Sequence, residues 1–412
     1  MSDAKISKAS KLPIKLFNKD FILLWFGQIV SSMGNSFQYI ALMWWIMSKF
    51  PTVQSGIVMG WMFAFNMIPV AVLGPFAGVL VDRISRKAIV VLSDALRGFL
   101  ILWMAYLAYT GQLTVFWIYT ISTLMGAGSA FFRPSLQSTI PNIVPDKHLT
   151  RANSLYQTGA QFTQIIGPAL GGVLVGFLGT SFVFALNGTS FMISAFTEIF
   201  INFRQTFRKS EKIKSFFFDL KEGLKFVYSQ KIIFWTMMIV SVINFAFAPI
   251  DILIAKQVKD IYNLGALELG YVVSAFSVGM VVGAALLSIL PEFKKKHNII
   301  IINMLVSGLL FAIMGFAPTL IFFLIIAFLI GFGVSIPNVL FTVVLQRMVP
   351  DEKRGRVFSV LTTSATILQP LSLAMIGGIS AVMSNIMIFL VLGSMLVISS
   401  SLMYFVPGMR EV

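Results

Sequence analysis

Long apolar runs, separated by short stretches rich in Gly, Pro, Lys and Arg, divide this chain almost from end to end. A helix crossing the bilayer hydrocarbon needs roughly 20 largely apolar residues at about 1.5 Å rise each. With that ruler the runs fall at 20–48, 56–80, 88–109, 113–132, 153–178 and 182–202. Six more follow at 231–254, 268–290, 298–316, 319–345, 357–382 and 385–406. The runs are continuous and do not alternate with polar positions, which excludes a membrane β-barrel. The connections from Tyr109 to Leu113 and at Ser384-Asn385 are only a few residues long, so consecutive helices lie antiparallel. The expected fold is an all-α membrane protein of twelve transmembrane helices in two six-helix bundles. Its expected parts are a tail over 1–19, a bundle over 20–203, a linker over 204–230, a second bundle over 231–406 and a tail over 407–412. In the linker, Phe216, Phe217, Leu220, Leu224 and Val227 recur at helical spacing with Lys221 and Lys225 between them, as in an amphipathic helix on a membrane surface.

The two sets of six repeat one another. VPDKHLTRANS (Val144 to Ser154) aligns with VPDEKRGRVFS (Val349 to Ser359) at an offset of 205 residues. The same offset pairs Gly78 with Gly283, Gly126 with Gly331, Gly128 with Gly333, Gln164 with Gln369 and Gly172 with Gly377. Parallel repeats of this kind relate two bundles by a pseudo-twofold axis and place a substrate path between them.

Composition removes the soluble alternatives. Of the 412 residues 57% are hydrophobic and 11% charged, too few charges to cover a water-facing surface. A net charge of +15 would suit a nucleic-acid partner, but its distribution has another cause. Of the 31 Lys and Arg residues, only Lys49, Lys256 and Lys259 fall on one side of the predicted membrane, and Arg97 lies within a span. The rest crowd the other side. Basic loops mark the cytoplasmic face, so both termini are expected there and no nucleic acid is needed. The apolar run after the Lys-rich first 20 residues is too long for a cleaved signal peptide. The chain has no cysteine, and its two histidines, His148 and His297, fall in predicted loops, which argues against a metal centre. No P-loop pattern and no nucleophile–base constellation is present, so an enzyme, a cofactor and direct ATP-driven pumping are not expected.

Three motifs carry a family resemblance. The connection between spans 2 and 3 reads GPFAGVLVDRISRK, with Gly78, Asp82, Arg83, Arg86 and Lys87. It resembles the signature loop of the major facilitator superfamily, with Ser85 where that pattern has glycine. The resemblance implies a cytoplasmic latch between the halves; without it, the loop is only a basic topology signal. In span 5, GAQFTQIIGPALGG resembles the glycine-proline motif of antiporters in that superfamily. There Gly159, Gly167, Gly171 and Gly172 permit close packing and Pro168 bends the helix. The run AFFRPSLQSTIPNIVPDKHLTRANSL, with the opening FNKDFILLWFGQIVSSMGNS, resembles the macrolide-efflux-type drug:proton antiporter branch. That resemblance implies an exporter of amphipathic or lipophilic molecules, driven by proton influx across a bacterial cell membrane; the chain is expected to act as a monomer. A lysophospholipid or siderophore carrier of the same fold is the alternative. A non-transporting scaffold or sensor is disfavoured, because no soluble domain is there to carry a signal.

Polar side chains deep in lipid are costly unless they pair or line a cavity. The candidates for a substrate site are Asn35 and Gln38 in span 1, Asn66 in span 2, and Gln157, Gln161 and Gln164 on one face of span 5. Asn244, Asn338 and Gln369 stand in spans 7, 10 and 11. The competing explanation for each is an interhelical hydrogen bond worth about 0.6 kcal/mol. Asp94, roughly 9 Å into span 3 at helical rise, and Asp251, near the outer end of span 7, are the proton-coupling candidates. Arg97 is placed to neutralise Asp94, and Glu198 is read as close enough to the surface to snorkel. Trp25, Trp44, Trp45 and Trp235 lie near span ends, where interfacial belts form. The 40 Phe and 22 Met suit walls that repack around bulky apolar ligands.

Overall fold

The computed structural model describes residues 15–81, 84–202, 225, 227–290, 296–349, 357, 360–361, 363–380 and 382–406. Its first six helices are α1 (Lys19–Lys49), α2 (Thr52–Val81), α3 (Arg86–Tyr109), α4 (Val115–Ile143), α5 (Leu149–Leu178) and α6 (Thr180–Ile199). Then come α7 (Lys231–Phe247), α8 (Ile250–Lys256), α9 (Ala266–Ile289), α10 (Lys296–Met314), α11 (Leu320–Met348), α12 (Gln369–Ile379) and α13 (Asn385–Met403). Where no water reaches the backbone, helices satisfy every internal N–H and C=O group, which is why apolar runs of this length fold this way. Asn18 starts α1 by accepting the Phe21 N–H at 3.0 Å, and Ser384 does the same for α13 with Met387 at 3.3 Å. Gly179, at φ 78, makes the whole turn between α5 and α6, a conformation that side chains other than glycine resist.

Ten described stretches are long and apolar enough to cross a membrane. The two expected spans outside that set have physical reasons for it. The first, α1, is 31 residues long, but its middle carries Gln28, Ser31, Ser32, Asn35, Ser36 and Gln38. The eleventh is interrupted at Leu368, where Pro370 has no N–H to continue the ladder. The seventh breaks at Ala248-Pro249, resumes as α8 and ends in a π turn over Gln257–Ile261, longer than expected. The fourth also outruns its expected end at 132 and continues through Pro134 and Pro141. Ser135, Ser138 and Thr139 donate to carbonyls one turn back at 2.7–2.9 Å and keep that polar stretch helical. His297, expected in a loop, is buried in the first turn of α10. Trp45 is buried too, while Trp235 is half exposed as a belt residue would be. The expected linker helix lies almost wholly outside the described residues.

Within the first six helices α3 packs on α6, α2 on α4, and α1 on α5 and α6. Among the later ones α9 packs on α11, α10 on α11 and α13, and α13 on α7. Two seams join the sets: α5 against α9 and α2 against α12. Both depend on glycine. A Cβ at Gly172 would stand 2.9 Å from Leu267 Cα, and one at Gly377 would stand 2.9 Å from Ile57 Cα. The two seams are copies of each other. Gly172 and Gly377 are related by the offset of 205 seen in the sequence, and so are α4 and α11 end to end. Leu267 and Ile57 are instead 210 residues apart. The larger offset recurs throughout α2/α9 and α3/α10: Gly126 meets the Asn66 carbonyl as Gly331 meets that of Phe276, and Gly128 faces Arg97 as Gly333 faces Ser307. The pairing of Gly78 with Gly283 is therefore corrected; at the larger offset α10 stops at Met314, five residues short of the copy of Tyr109 at the end of α3, and the offset returns to 205 only from α4 and α11 onward.

Candidate functional site

The face holding the α1–α2, α3–α4, α5–α6 and α12–α13 turns is called the far face below; the opposite, terminus face holds the start of α1 and the end of α13. The cross-set contacts named here lie toward the far face. The Lys259 ammonium donates to the Met47 carbonyl, and Tyr39 of α1 faces Asp251 of α8. The Ala169 N–H, just past Pro168, donates to Ser274 Oγ of α9 at 3.0 Å. Gly159 packs on Ile29 and Trp25, Gly167 on Ser36 and Gly171 on Phe37, all on α1. Gly172 and Pro168 meet α9. The glycine-proline run thus has two faces, one for each neighbour.

Toward the terminus face the same helix α5 changes character. Gln157, Gln161 and Gln164 are all exposed there, although they sit on a helix whose other faces are packed. The remaining amides form two clusters. Asn35 and Gln38 of α1 both accept from Asn187 Nδ2 of α6, the former at 3.4 Å. In the second set Gln369 Nε2 donates to Asn244 Oδ1 at 3.1 Å. Asn244 and Asn338 line a cavity of about 130 Å³ among α7, α10, α11 and α13, with Met304, Ser307, Phe341 and Met403. Asn66 joins neither cluster. Its amide ties α2 to α4 through the Ser122 carbonyl at 3.2 Å, which is the interhelical role weighed against it.

The two coupling candidates occupy different environments. Asp251 faces Tyr39 across the halves, and Lys256 turns away from it to donate to the Ser380 carbonyl at 3.1 Å. Asp94 is buried and pairs with Arg97, whose guanidinium lies 4.0 Å from the centre of the Phe132 ring and 4.9 Å from that of Phe191. Beside them is Glu198, which does not snorkel. It is 0% exposed, and its Oε1 accepts from Gln28 Nε2 at 3.2 Å and from Ser194 Oγ at 3.4 Å. In the latch, Asp82 and Arg83 lie outside the described residues. Arg86 donates to the Ser138 carbonyl at 3.1 Å and Lys87 to the Ile201 carbonyl at 3.1 Å, so both are held within the first six helices.

The family model of the Major Facilitator Superfamily matches residues 24–368 and 232–411. The chain belongs to the Major Facilitator Superfamily. It is a membrane transporter rather than an enzyme. Macrolide efflux protein A of Streptococcus pyogenes is 24% identical over 356 residues, 86% of this chain and 87% of that one. The multidrug efflux pump Tap of Mycolicibacterium fortuitum is 22% identical over 400 residues, 95% and 96% of the two chains. Among solved structures, a bacterial homologue of the iron transporter ferroportin in an inward-facing state superposes with a TM-score of 0.74. It covers 95% of this chain and 98% of that one at 16% identity, a likeness of fold alone.

Proposed function

We propose that this transporter exports amphipathic or lipophilic small molecules by alternating access, coupled to proton entry. The observation that carries the reading is the contrast along α5. Toward the far face it is sealed to α9 at Gly172 and Pro168, while toward the terminus face Gln157, Gln161 and Gln164 stand open. The basic loops gather on the terminus face, which supports a cytoplasmic location for it and for both termini. The structure is then the inward-open state, ready to load substrate from the cytoplasm. Likeness to macrolide and multidrug efflux proteins supports export.

The 130 Å³ cavity is well below the 300–1,000 Å³ of drug-sized sites. Bulky substrates are therefore assigned to the space between the halves, lined by Asn35, Gln38, Gln161, Gln164 and Gln369, with Asn244 and Asn338 at its edge. Rocking about the two glycine seams would open the far face and bring the Gly78–Lys87 latch together at the cytoplasmic one. Asp94 and Asp251 are the acids proposed for coupling.

The test is flux of a lipophilic fluorescent cation from proteoliposomes under an imposed pH gradient, with macrolides and lysophospholipids as competitors. Flux that collapses with the gradient and falls with macrolide supports the reading. Gradient-independent movement inhibited only by lysophospholipid would replace it with a lipid carrier.

A further inference from the structure

We propose that Asp94 and Glu198 hold one proton between them, and that this pair with Arg97 and Gln28 is the proton-carrying site of the transporter. The assignment rests on the proton-coupled reading above. Asp94 is 1% exposed, Arg97 6% and Glu198 0%. Arg97 is committed to Asp94, and Gln28 and Ser194 to one oxygen of Glu198. The other oxygen of each carboxyl, Asp94 Oδ2 and Glu198 Oε2, is buried with no donor among the described residues. Two carboxylates against one guanidinium would bury a net negative charge, and a group in that position takes up a proton instead. A proton shared by two adjoining carboxyls belongs to the pair and not to either residue.

The neighbours do not supply the missing charge. On α3, Lys87 is held by the carbonyls of Ile199 and Ile201 at the helix end. On α4, Arg133 is exposed and faces Arg97 and Tyr156 without an ion pair to either acid among the described residues, and on α5 the neutral Tyr156 is half-buried. On α1 the facing group is the neutral Gln28.

The repeat supplies an independent argument. With the offsets of 210 for α3/α10 and 205 for α4/α11 and α6/α13, the copies of Asp94, Arg97, Phe132 and Glu198 are Met304, Ser307, Pro337 and Met403. All four line the cavity in the second half. The same fold position is therefore stable when apolar and partly empty. Three charged groups there are not required by the packing of the helices, and their cost needs another explanation. Carrying a proton is one that uses each of them.

Infrared difference spectroscopy of the purified full-length protein in lipid nanodiscs, recorded without substrate across a pH jump, reads the site directly. The wild type should show the carbonyl stretch of a protonated carboxylic acid at neutral pH. Glu198→Gln and Asp94→Asn should each abolish that band, because the remaining carboxylate is neutralised by Arg97. Arg97→Gln should have the opposite effect and double it, since two carboxyls without a cation both take protons. Asp251→Asn serves as the control for the other acid proposed for coupling, which is only partly buried, and should leave the three differences unchanged. No protonated band in the wild type, or a band surviving both single substitutions, would overturn the proposal while leaving export untouched. Conversely, flux that ignores the pH gradient removes the carrier role even with the band in place.

Discussion

Gly172→Ala tests the seam on which the alternating-access reading depends. In the present state a Cβ at 172 would overlap the Ala266 carbonyl and stand 2.9 Å from Leu267 Cα. Both are backbone atoms of α9, so no side chain can swing aside. Relief requires α5 and α9 to move apart, and overpacking of this kind costs about 1–3 kcal/mol. Alanine also raises helix propensity by about 1 kcal/mol, but it does so in both states and cancels from their ratio. The equilibrium should therefore move toward far-face opening by about 5- to 150-fold. Gly176→Ala is the matched control on the same helix, because nothing lies within 4 Å of a Cβ there. The chain has no cysteine, so spin labels on Gln112→Cys and Thr319→Cys, exposed turn residues on the far face of the two halves, report the distance cleanly. Electron–electron resonance should show a longer-distance population that grows in Gly172→Ala and stays at the wild-type level in Gly176→Ala. Identical distance distributions for Gly172→Ala and the wild type would refute the argument that this contact sets the state.

Four further expectations each turn on one residue. Gln161→Cys should react with a membrane-impermeant thiol reagent added from the terminus face; protection throughout the transport cycle would place the stripe in a packed interface. Tyr39→Phe removes the hydroxyl that faces Asp251 across the halves, and the same spin-label pair should shift toward far-face opening. Asn187→Leu deprives Asn35 and Gln38 of a shared donor and should lower stability by about 1–3 kcal/mol, read as a reduced unfolding temperature in detergent. Asp82→Asn should slow transport with expression and folding intact, and an unchanged rate would remove the latch role.

Hydropathy alone carried most of the fold, because a bilayer imposes one length and one kind of secondary structure. It erred where side chains supply what lipid cannot. The serines of α4 extend a helix past two prolines, and the polar middle of α1 hides a 31-residue helix. The repeat was visible at positions kept identical, but α10 is five residues shorter at its end than α3, which puts α2 and α3 off the common offset, and only contacts reveal that. Depth is likewise legible while rotation is not. Glu198 stands one residue from the end of α6, which suggested a snorkelling side chain, yet the face it shares with Ser194 turns it fully inward. Asn187, in the middle of span 6, offered the same kind of signal as Asn35 and Gln38 and belongs with them.

The two halves share a fold and divide the chemistry. Where the first half buries Asp94, Arg97 and Glu198, the second has Met304, Ser307 and Met403 around empty space. A change of charge in the first half must therefore act on the seams through the helices that reach them, α2 and α5, and α5 is the one that also borders the charged cluster. Near its terminus-face end the Leu155 carbonyl accepts from Trp25 Nε1 at 3.1 Å, less than one turn along α1 from Gln28. The next residue, Tyr156, is a neighbour of the charged cluster. Between these ends and the seam run the three exposed glutamines, and at the seam Pro168 and Gly172 meet α9. One rigid element thus touches the proposed proton site, the proposed substrate surface and the contact that closes the far face. A ligand shifts an equilibrium only by binding its two states unequally, and any shift of α5 gives proton and substrate that inequality together. Coupling then requires no direct contact between the two, only that both favour opposite positions of the same helix.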